Sequence, residues 1–490
     1  MTKQADEVRK IKLYDICEKA KEQGVENYEI TSVTDNTANV VKGSLFVCIK
    51  GARFDGHLAI KDVLEKGAVA VVTDHDTGEK NQIVVDNTRL ALAEFCSAMS
   101  GNPTDKLKLI AVTGTNGKTT IAHLVKHILT ELNKKCGCIG TAGNDLCDGR
   151  ITESPHGTPT TPSPTTLYKW FSQMVENGAE YCVMEASSMA LCQHRIADEK
   201  FLSAGFTNLT RDHLDYHLTM ENYFDAKARL FTLTDNAVIC IDDDYGKILA
   251  KRHRNTAITY SVKEKADIYA DYIKMTATSS EFMLIDSRNE KACRVKLNMT
   301  GLYNVQNALC AIALVSADGF DITECAKALE SCSGVDGRLN TVYKGDFTVI
   351  TDYAHTDDAL RKMLSAVKPA VEGRLICLFG GAGERDREKR PMMAKAVSEF
   401  ADVLVISSDN PASEDPDTII EEVYAGADKS LPCIKEADRR LAIEKAIAIA
   451  KKGDVIVLAG KGHERYQIIG NEYTPFCERE IVEEILSRKE

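Results

Sequence analysis

The sequence predicts an α/β protein of three domains: a small mixed α/β N-terminal domain (residues 1–105), a central P-loop domain with a parallel sheet (106–335) and a C-terminal Rossmann-like α/β domain (336–490). Three observations predict it. At 490 residues the chain exceeds a single core, since domains run to about 100–200 residues. Apolar β-type runs alternate with helical stretches from residue 107, and the alternation restarts after residue 337; this is the pattern of parallel sheets wrapped by helices. Between one such run and the helix after it lies a Gly-Lys-Thr loop, a local form that holds phosphate.

In the N-terminal domain Ser44-Leu-Phe-Val-Cys-Ile-Lys50 reads as a strand, residues 59–66 as a helix, and Ala68-Val-Ala-Val-Val72 and Gln82-Ile-Val-Val85 as further strands. Gly101-Asn-Pro103 breaks the helix before it and marks a boundary. The central domain opens with Leu107-Lys-Leu-Ile-Ala-Val-Thr-Gly-Thr-Asn-Gly-Lys-Thr-Thr120, followed by a helix over 121–132. Tyr181-Cys-Val-Met184, Ala204-Gly-Phe-Thr207 and Ala237-Val-Ile-Cys240 continue the sheet. Residues 256–298 are strand-rich and read as an antiparallel flap on that sheet, and a helix follows over 304–318. Gly334-Val-Asp-Gly337 is a second hinge. Beyond it Thr348-Val-Ile350, Leu375-Ile-Cys-Leu-Phe379, Val403-Leu-Val-Ile406 and Asp454-Val-Ile-Val-Leu458 read as strands. Ligands bind at the carboxyl ends of such strands, so this domain is expected to own half of a site.

Composition narrows the function. Hydrophobic residues make up 44% and charged ones 27%, as in soluble globular proteins. The N-terminus lacks the apolar core of a signal peptide and no run reaches membrane-spanning length, so a cytoplasmic protein without a membrane partner is expected. Sixteen cysteines include no C-x-x-C pair; they read as small hydrophobes kept reduced, and the lone C-x-C at Cys136 and Cys138 is a weak metal signal. Net charge is −12, from 61 basic and 73 acidic residues, and no Lys/Arg block offers a track for nucleic acid.

Chemistry starts at the loop. Gly114, Thr115, Asn116, Gly117, Lys118, Thr119 and Thr120 would aim backbone N–H groups and a helix N-terminus at a polyphosphate. Lys118 would reach the outer phosphates and the Thr119 hydroxyl a bridging Mg²⁺. The usual glycine six positions before the lysine is Val112 here, so the loop is shortened, and read by itself it could be an ordinary strand-to-helix turn. Polar clusters follow at Thr158-Pro-Thr-Thr-Pro162, Glu185-Ala-Ser-Ser188 with Gln193-His-Arg195, 207–217, and Tyr223-Phe-Asp-Ala-Lys227. Glu185 suits Mg²⁺, or else caps a helix. His213 and His217 share a helical face, but H-E-x-x-H and any cysteine partner are missing, which argues against zinc. His217 reads as a hydrogen-bonded surface histidine, His123 and His127 as exposed side chains, and Lys227 on spacing alone as a surface lysine.

The ordered motifs GTNGKTT, TTP, EASS…QHR, FTNLTRDHLDYH, YFDAK, GLYNVQNA, GVDGR, DYAHT, GERDREKRP, DNP and GKGHE resemble those of the Mur ligases, in the tripeptide-synthetase (MurE) branch. The resemblance runs from about residue 35 to the C-terminus, and the shortened loop is the family's own form. It implies a uridine-diphosphate-binding first domain, an ATPase second domain and a third domain for the incoming amino acid. The implied reaction is ATP-dependent amide formation on the D-Glu carboxylate of UDP-MurNAc-L-Ala-D-Glu through an acyl phosphate, by a cytoplasmic monomer with small-molecule partners only. It also implies two Mg²⁺ ions, one at Thr119 and Glu185 and one at His213 and Lys227, with Lys227 carbamylated by CO₂. Asn304, Asn307, Arg338, Asp352 and His355 match ATP-side positions; Thr160, Thr161, Ser187, Gln193 and Arg195 match muramoyl-peptide positions. Ser44 and the loop 50–57 match the uridine region, while Arg385, Asp409, Asn410, Gly460 and Glu464 fall in the amino-acid region.

Three departures stand out: Asp35-Asn-Thr37 for Asp-Ser-Arg, Met189 for the histidine of Glu-x-Ser-Ser-His, and Asp409-Asn-Pro-Ala412 for Asp-Asn-Pro-Arg. The last removes a guanidinium that pairs with the extra carboxylate of meso-diaminopimelate, so L-lysine is the expected substrate, with diaminopimelate or L-ornithine as alternatives. Arg385, Arg387 or Arg390 could restore the missing charge. The rival activities are a folylpolyglutamate synthase-like ligase, disfavoured by the first-domain segments, and a non-catalytic nucleotide-binding paralogue.

Overall fold

The computed structural model describes residues 10–51, 54–152, 159–197, 199–276, 279–332, 334–335 and 337–488. Residues 52–53 of the uridine-region loop, Thr158 and Asp336 lie outside them. The chain forms two compact units, one of Met1–Ala111, Lys134–Leu202 and Arg229–Asp235, the other of Val112–Asn133, Ser203–Ala228 and Asn236–Glu490.

In the first unit four parallel strands lie in the order Ser32–Thr34, Ser44–Val47, Ala68–Thr73, Gln82–Val84. All four residues of Ser44–Val47 are buried, as expected of a parallel strand covered on both faces. Phe46 and Val71 pack with Ile60 and Val63 of the helix Ile60–Glu65. Asn87 caps the helix Thr88–Met99, its side chain accepting from the Arg89 and Leu90 N–H groups. Farther along the chain Tyr181–Glu185 pairs in parallel with Cys136–Ile139. The helix Pro164–Glu176 starts on a proline whose missing N–H costs nothing there.

In the second unit Ser203–Phe206, Ala237–Cys240, Ala257–Ser261 and Ile268–Met275 are successive parallel neighbours. The expected flap is therefore smaller than 256–298. Ala257–Ser261 belongs to the parallel sheet, and antiparallel pairing begins only where Ser280–Asp286 joins Ile268–Met275 and Lys291–Leu297. Ser280–Asp286 alternates buried and half-buried residues, as a sheet with one wet face does. The helix Leu302–Ser316 is apolar nearly all round and buried. Gly205 lets it come close, since a Cβ there would stand 3.1 Å from Cys310 Sγ.

The last sheet runs Asn340–Lys344, Thr348–Asp352, Val455–Ala459, Leu375–Phe379, Val403–Ser407, Cys433–Glu436. The first pair is antiparallel and the rest are parallel. Apolar clusters cover both faces, one around Leu364, Phe379 and Val423, the other around Ile376, Ile443 and Val482. The order places Val455–Ala459 between strands that precede it in sequence, and the loops after Asp352 and Ala459 leave side by side at the carboxyl edge. Asn340–Lys344 and the hairpin Tyr466–Ile469 with Glu472–Pro475 carry no strong apolar alternation and were not expected.

Candidate active site

Two glycines shape the loop that opens the second unit. Gly114 has φ +142°, and a Cβ there would lie 1.9 Å from the Thr207 hydroxyl oxygen and 3.1 Å from the Asn208 carbonyl oxygen. Gly117 has φ +94°, and a Cβ would lie 2.6 Å from Asn307 Oδ1. Only glycine fits both places. The loop is tied down on one flank: Thr207 donates to the Asn116 carbonyl at 2.6 Å, and the Thr115 N–H donates to the Asn208 carbonyl at 2.8 Å. Asn116 Nδ2 donates to Asp358 Oδ2 at 2.9 Å. The helix Lys118–Glu131 then begins without a side-chain cap, and Thr119 and Thr120 stand in its first turn, where N–H groups lack helical partners.

Lys118 Nζ donates to the Gly114 and Thr115 carbonyls at 3.0 and 2.9 Å. Lys227, on the helix Met220–Ala228, donates to the same Gly114 carbonyl at 2.9 Å. Lys227 is only 1% exposed, and its Nζ stands 4.6 Å from the centre of the Tyr223 ring. Burial, then the charge of Lys118, pushes its pKa well down, against the pull of Asp212. The surface lysine that spacing suggested is a buried amine biased toward its neutral form.

His213 has φ +52° and precedes the short helix Leu214–His217. Its Nε2 lies 3.4 Å from Asp212 Oδ2. Burial lowers its pKa to about 4, Asp212 opposing and Lys227 and Lys118 adding, so the neutral imidazole dominates. For Asp212, burial alone would raise the pKa; the charges of His213, Lys389 and His355 outweigh it and hold the carboxyl at about 2. The sequence reading placed Asp212 and Tyr223 in its polar clusters and Lys389 in a motif but gave none of them a role; the acidic residue beside His213 was the available signal. His217 is not a surface residue: it is buried, its ring 5.0 Å from Tyr223. His123 and His127 are half-buried rather than exposed, and His127 Nε2 lies 2.9 Å from Ser331 Oγ.

The other residues expected on the nucleotide side lie in the same unit. Arg338 Nη2 donates to Thr119 Oγ1 at 3.2 Å, and its guanidinium lies 4.6 Å over Tyr353. Asp352 accepts from the Leu339 and Ala354 N–H groups at 2.7 and 2.8 Å, while burial raises its pKa against the charge of Arg338. His355 Nδ1 is 2.8 Å from the Tyr353 carbonyl. Asn307 Nδ2 donates to Asn304 Oδ1 at 3.2 Å. Asn304 is no helix cap, for that helix starts at Leu302 and Asn304 Nδ2 donates back to Thr300 at 2.8 Å.

Glu185 and its neighbours form a connected network in the first unit. Glu185 ends its strand 1% exposed and accepts from Thr141 N–H at 2.7 Å; the following helix is capped by Ser187, not by Glu185. Thr161 donates to the Glu185 carbonyl at 2.7 Å, and its hydroxyl lies 3.2 Å from Ser187 Oγ. Arg195 donates to the Thr161 carbonyl at 2.6 Å and to Gln193 Oε1 at 2.9 Å. Thr160 joins through Thr141 Oγ1 at 3.2 Å. Ser44 stands apart from this network: its buried hydroxyl accepts from Val41 N–H and faces Ser32, each at 2.8 Å.

At the carboxyl edge of the last sheet Lys461, fully buried, lies 3.4 Å from Asp409 Oδ1 and 3.0 Å from Glu464 Oε2. It also bonds Asn410 Oδ1 and the Tyr466 carbonyl. Lys461 thus pairs with both Asp409 and Glu464, and the three side chains together carry one net negative charge. A Cβ on Gly460 would approach Asp409 Oδ2 to 3.1 Å. Gly383 N–H donates to the Asn410 carbonyl at 2.8 Å, which brings the loop bearing Arg385 beside residues 409–412. Arg390 and Arg387 are engaged by Glu414 and Glu422. Arg385 is exposed and makes no ion pair among the described residues.

Comparison with known proteins is consistent along the chain. Models of the Mur ligase family match at residues 29–99 (catalytic domain), 112–315 (middle domain) and 337–462 (glutamate ligase domain). A UDP-N-acetylmuramoyl-L-alanyl-D-glutamate–2,6-diaminopimelate ligase of Clostridium tetani is 41% identical over 94% of this chain and 95% of that protein. One of Clostridium acetobutylicum is 43% identical over the same shares. The solved structure of a ligase with that printed name, 31% identical, superposes with a TM-score of 0.67 over 94% of this chain and 95% of that one. With three α/β domains in this order and relatives matched nearly end to end, the chain belongs to the Mur ligase family, in its MurE type.

Proposed function

We propose that the protein is an ATP-dependent ligase that joins an amino group of 2,6-diaminopimelate to the D-Glu carboxylate of UDP-MurNAc-L-Ala-D-Glu, by way of an acyl phosphate. The observation that carries this reading is the meeting of Lys118 and Lys227 at the Gly114 carbonyl, in the electrostatic reach of a neutral His213. Lys118 and the N–H groups at the start of its helix hold the outer phosphates. Arg338, Asp352, His355, Asn304 and Asn307 orient the rest of the nucleotide. Thr160, Thr161, Ser187, Gln193 and Arg195 hold the muramoyl peptide.

A carboxylate must meet a triphosphate, so anionic charge has to be neutralised at both; two Mg²⁺ ions supply that when bound. The donor set fits. Thr119 and Glu185 offer the hard oxygens that Mg²⁺ prefers, and His213 offers a neutral nitrogen. Lys227 fits once modified: its neutral amine attacks CO₂, an N–C bond forms and a proton leaves, giving an anionic oxygen ligand. Its depressed pKa favours that reaction.

The sequence reading favoured lysine because Ala412 stands where an arginine is usual. Diaminopimelate now takes first place. The relatives matched along the whole chain carry its name, and Arg385 offers a cation within the loop bonded to Asn410. The single net negative charge of Asp409, Glu464 and Lys461 suits one ammonium. L-Lysine is the second reading, on the one observation that Ala412 presents a methyl group.

The test is phosphate release with ATP, UDP-MurNAc-L-Ala-D-Glu and each amino acid in turn. Diaminopimelate is expected to give the highest kcat/KM, and Arg385→Ala to lower it about ten- to a hundredfold, the worth of a charge-assisted pair of roughly 1.5–3 kcal/mol. A preference for lysine, unchanged by Arg385→Ala, selects the second reading. No release with any amino acid refutes both. We place the enzyme in the cytoplasm, the compartment that supplies ATP; no helix among the described residues is long and apolar enough to cross a membrane.

A further inference from the structure

The first unit brings together His57, Asp74 and His75, whose ligating atoms lie within 4.8 Å of one another. His57 comes from the turn Gly56–Ala59; Asp74 and His75 directly follow the strand Ala68–Thr73. We propose that these three side chains form a binding site for a borderline divalent cation such as Zn²⁺ or Co²⁺, distinct from the Mg²⁺ sites of the reaction.

The argument rests on His57. Its side chain is 9% exposed, and its Nδ1 lies 2.7 Å from Asp55 Oδ1. Asp55 offers an acceptor oxygen to Nδ1, which leaves Nε2 as the ring atom turned toward Asp74. That Nε2 is buried without a hydrogen-bond partner and faces Asp74 Oδ1 at 3.3 Å. A cation held between these two atoms would engage both the orphaned nitrogen and the carboxylate. The spacing is also the edge length of a tetrahedron around a metal with bonds of about 2.0–2.1 Å.

Second features agree. A carboxylate on the far nitrogen of a ligating histidine fixes its tautomer and orientation, the role Asp55 fills here. Nearby Cys48 is buried, which pushes its thiol up to about 12, with Asp55 and Asp74 adding; it stays a protonated thiol and no ligand. His75 lies with its ring 4.7 Å from that of His57 and its Nδ1 2.6 Å from Asp74 Oδ1. Exposed and on a chain turn, it can rotate to complete a His₂Asp set, leaving a fourth position for water. Two nitrogens and one carboxylate select Zn²⁺, Co²⁺ or Ni²⁺ over Mg²⁺, which demands oxygen.

The experiment uses untagged full-length protein, stripped with a chelator and titrated with Co²⁺ in excess Mg²⁺. One equivalent is expected to bind with the visible absorption of a four-coordinate ion. Asp74→Asn and His75→Ala, both at exposed positions, each weaken binding about tenfold or more, and Asp55→Asn weakens it about tenfold by releasing the ring. Zn²⁺ should raise the Tm of the parent but not of the His75→Ala protein, while ligase turnover in Mg²⁺ stays unchanged in that variant. If the parent binds no Co²⁺ under these conditions, a proton bridges the gap and the proposal is wrong. If Asp74→Asn and His75→Ala bind as tightly as the parent, the ion sits elsewhere and the proposal is equally wrong.

Discussion

The Lys227 amine, buried under Tyr223 and repelled by Lys118, pays for its charge more than a surface lysine does. The proposed carbamylation would remove that conflict and supply an oxygen anion. Lys227→Ala is therefore expected to lower kcat by about 10²–10³-fold, the range for loss of one preorganised electrostatic group. Its Tm should hold steady or rise, and formate or acetate should restore part of the rate. Full activity in Lys227→Ala without added acid would remove the carbamate from the account. His213 gives a pH signature. Its folded pKa is about 4, below the ordinary 6.5, so between these values the unfolded chain binds the proton more readily. Its contribution is complete above pH 6.5 and is lost as pH falls toward 4. Denaturant titrations should show a shallower loss of stability across that window in His213→Ala. Asp212 acts lower, because its stabilising charge is lost only as pH falls from 3.8 toward 2; the two windows can be told apart.

At the scale of elements, Arg439 fastens the edge of the last sheet. Its Nε and Nη2 donate to Glu478 Oε1 at 2.9 and 2.8 Å, its Nη1 to the Ser408 carbonyl at 3.2 Å, and Nη2 also to the Ala459 carbonyl at 2.7 Å. One guanidinium thus ties the helices Arg439–Ile449 and Glu478–Ser487 to the two strand ends from which Asp409 and Gly460 follow. Arg439 and Glu478 have no exposed side-chain surface. Arg439→Met should cost about 3–5 kcal/mol by stranding a buried carboxylate, and adding Glu478→Leu should recover most of it. Urea unfolding measures both, and an unchanged KM for the diamino acid in Arg439→Met would deny the tie any role in the site. Elements of this sheet were legible where apolar runs are continuous, as in Leu375–Phe379 and Val403–Ser407. Arg439 was not, because its partner lies 39 residues away and nothing local distinguishes it from a solvated arginine. His217 was misread for the same reason: the ring that covers it belongs to Tyr223, on the next helix. The phosphate loop was legible because its glycines answer to local backbone geometry.

For the whole molecule, domain order was readable from where the αβ alternation stops and restarts, and the family matches at 29–99, 112–315 and 337–462 follow it. The compact units were not readable, since Val112–Asn133 and Ser203–Ala228 group with the C-terminal half through contacts that chain order does not reveal. This sets up a test of what folds alone. Among the described residues, both apolar clusters of the last sheet draw every residue from within 339–486, and its six strands pair only with one another. The Arg439–Glu478 tie and the Lys461 cluster close within the same segment. A fragment of residues 337–490 has its own core and buried polar partners, which is what an independent domain requires. It should therefore show native-like circular dichroism and one cooperative urea transition, with m of about 1–3 kcal/mol/M. Arg439→Met should shift that transition by the same amount as in the full chain, because every partner it loses is present in the fragment. A fragment that unfolds without cooperativity would mean that Val112–Asn133 and Ser203–Ala228 supply stability the C-terminal segment lacks, and that the compact unit is the folding unit.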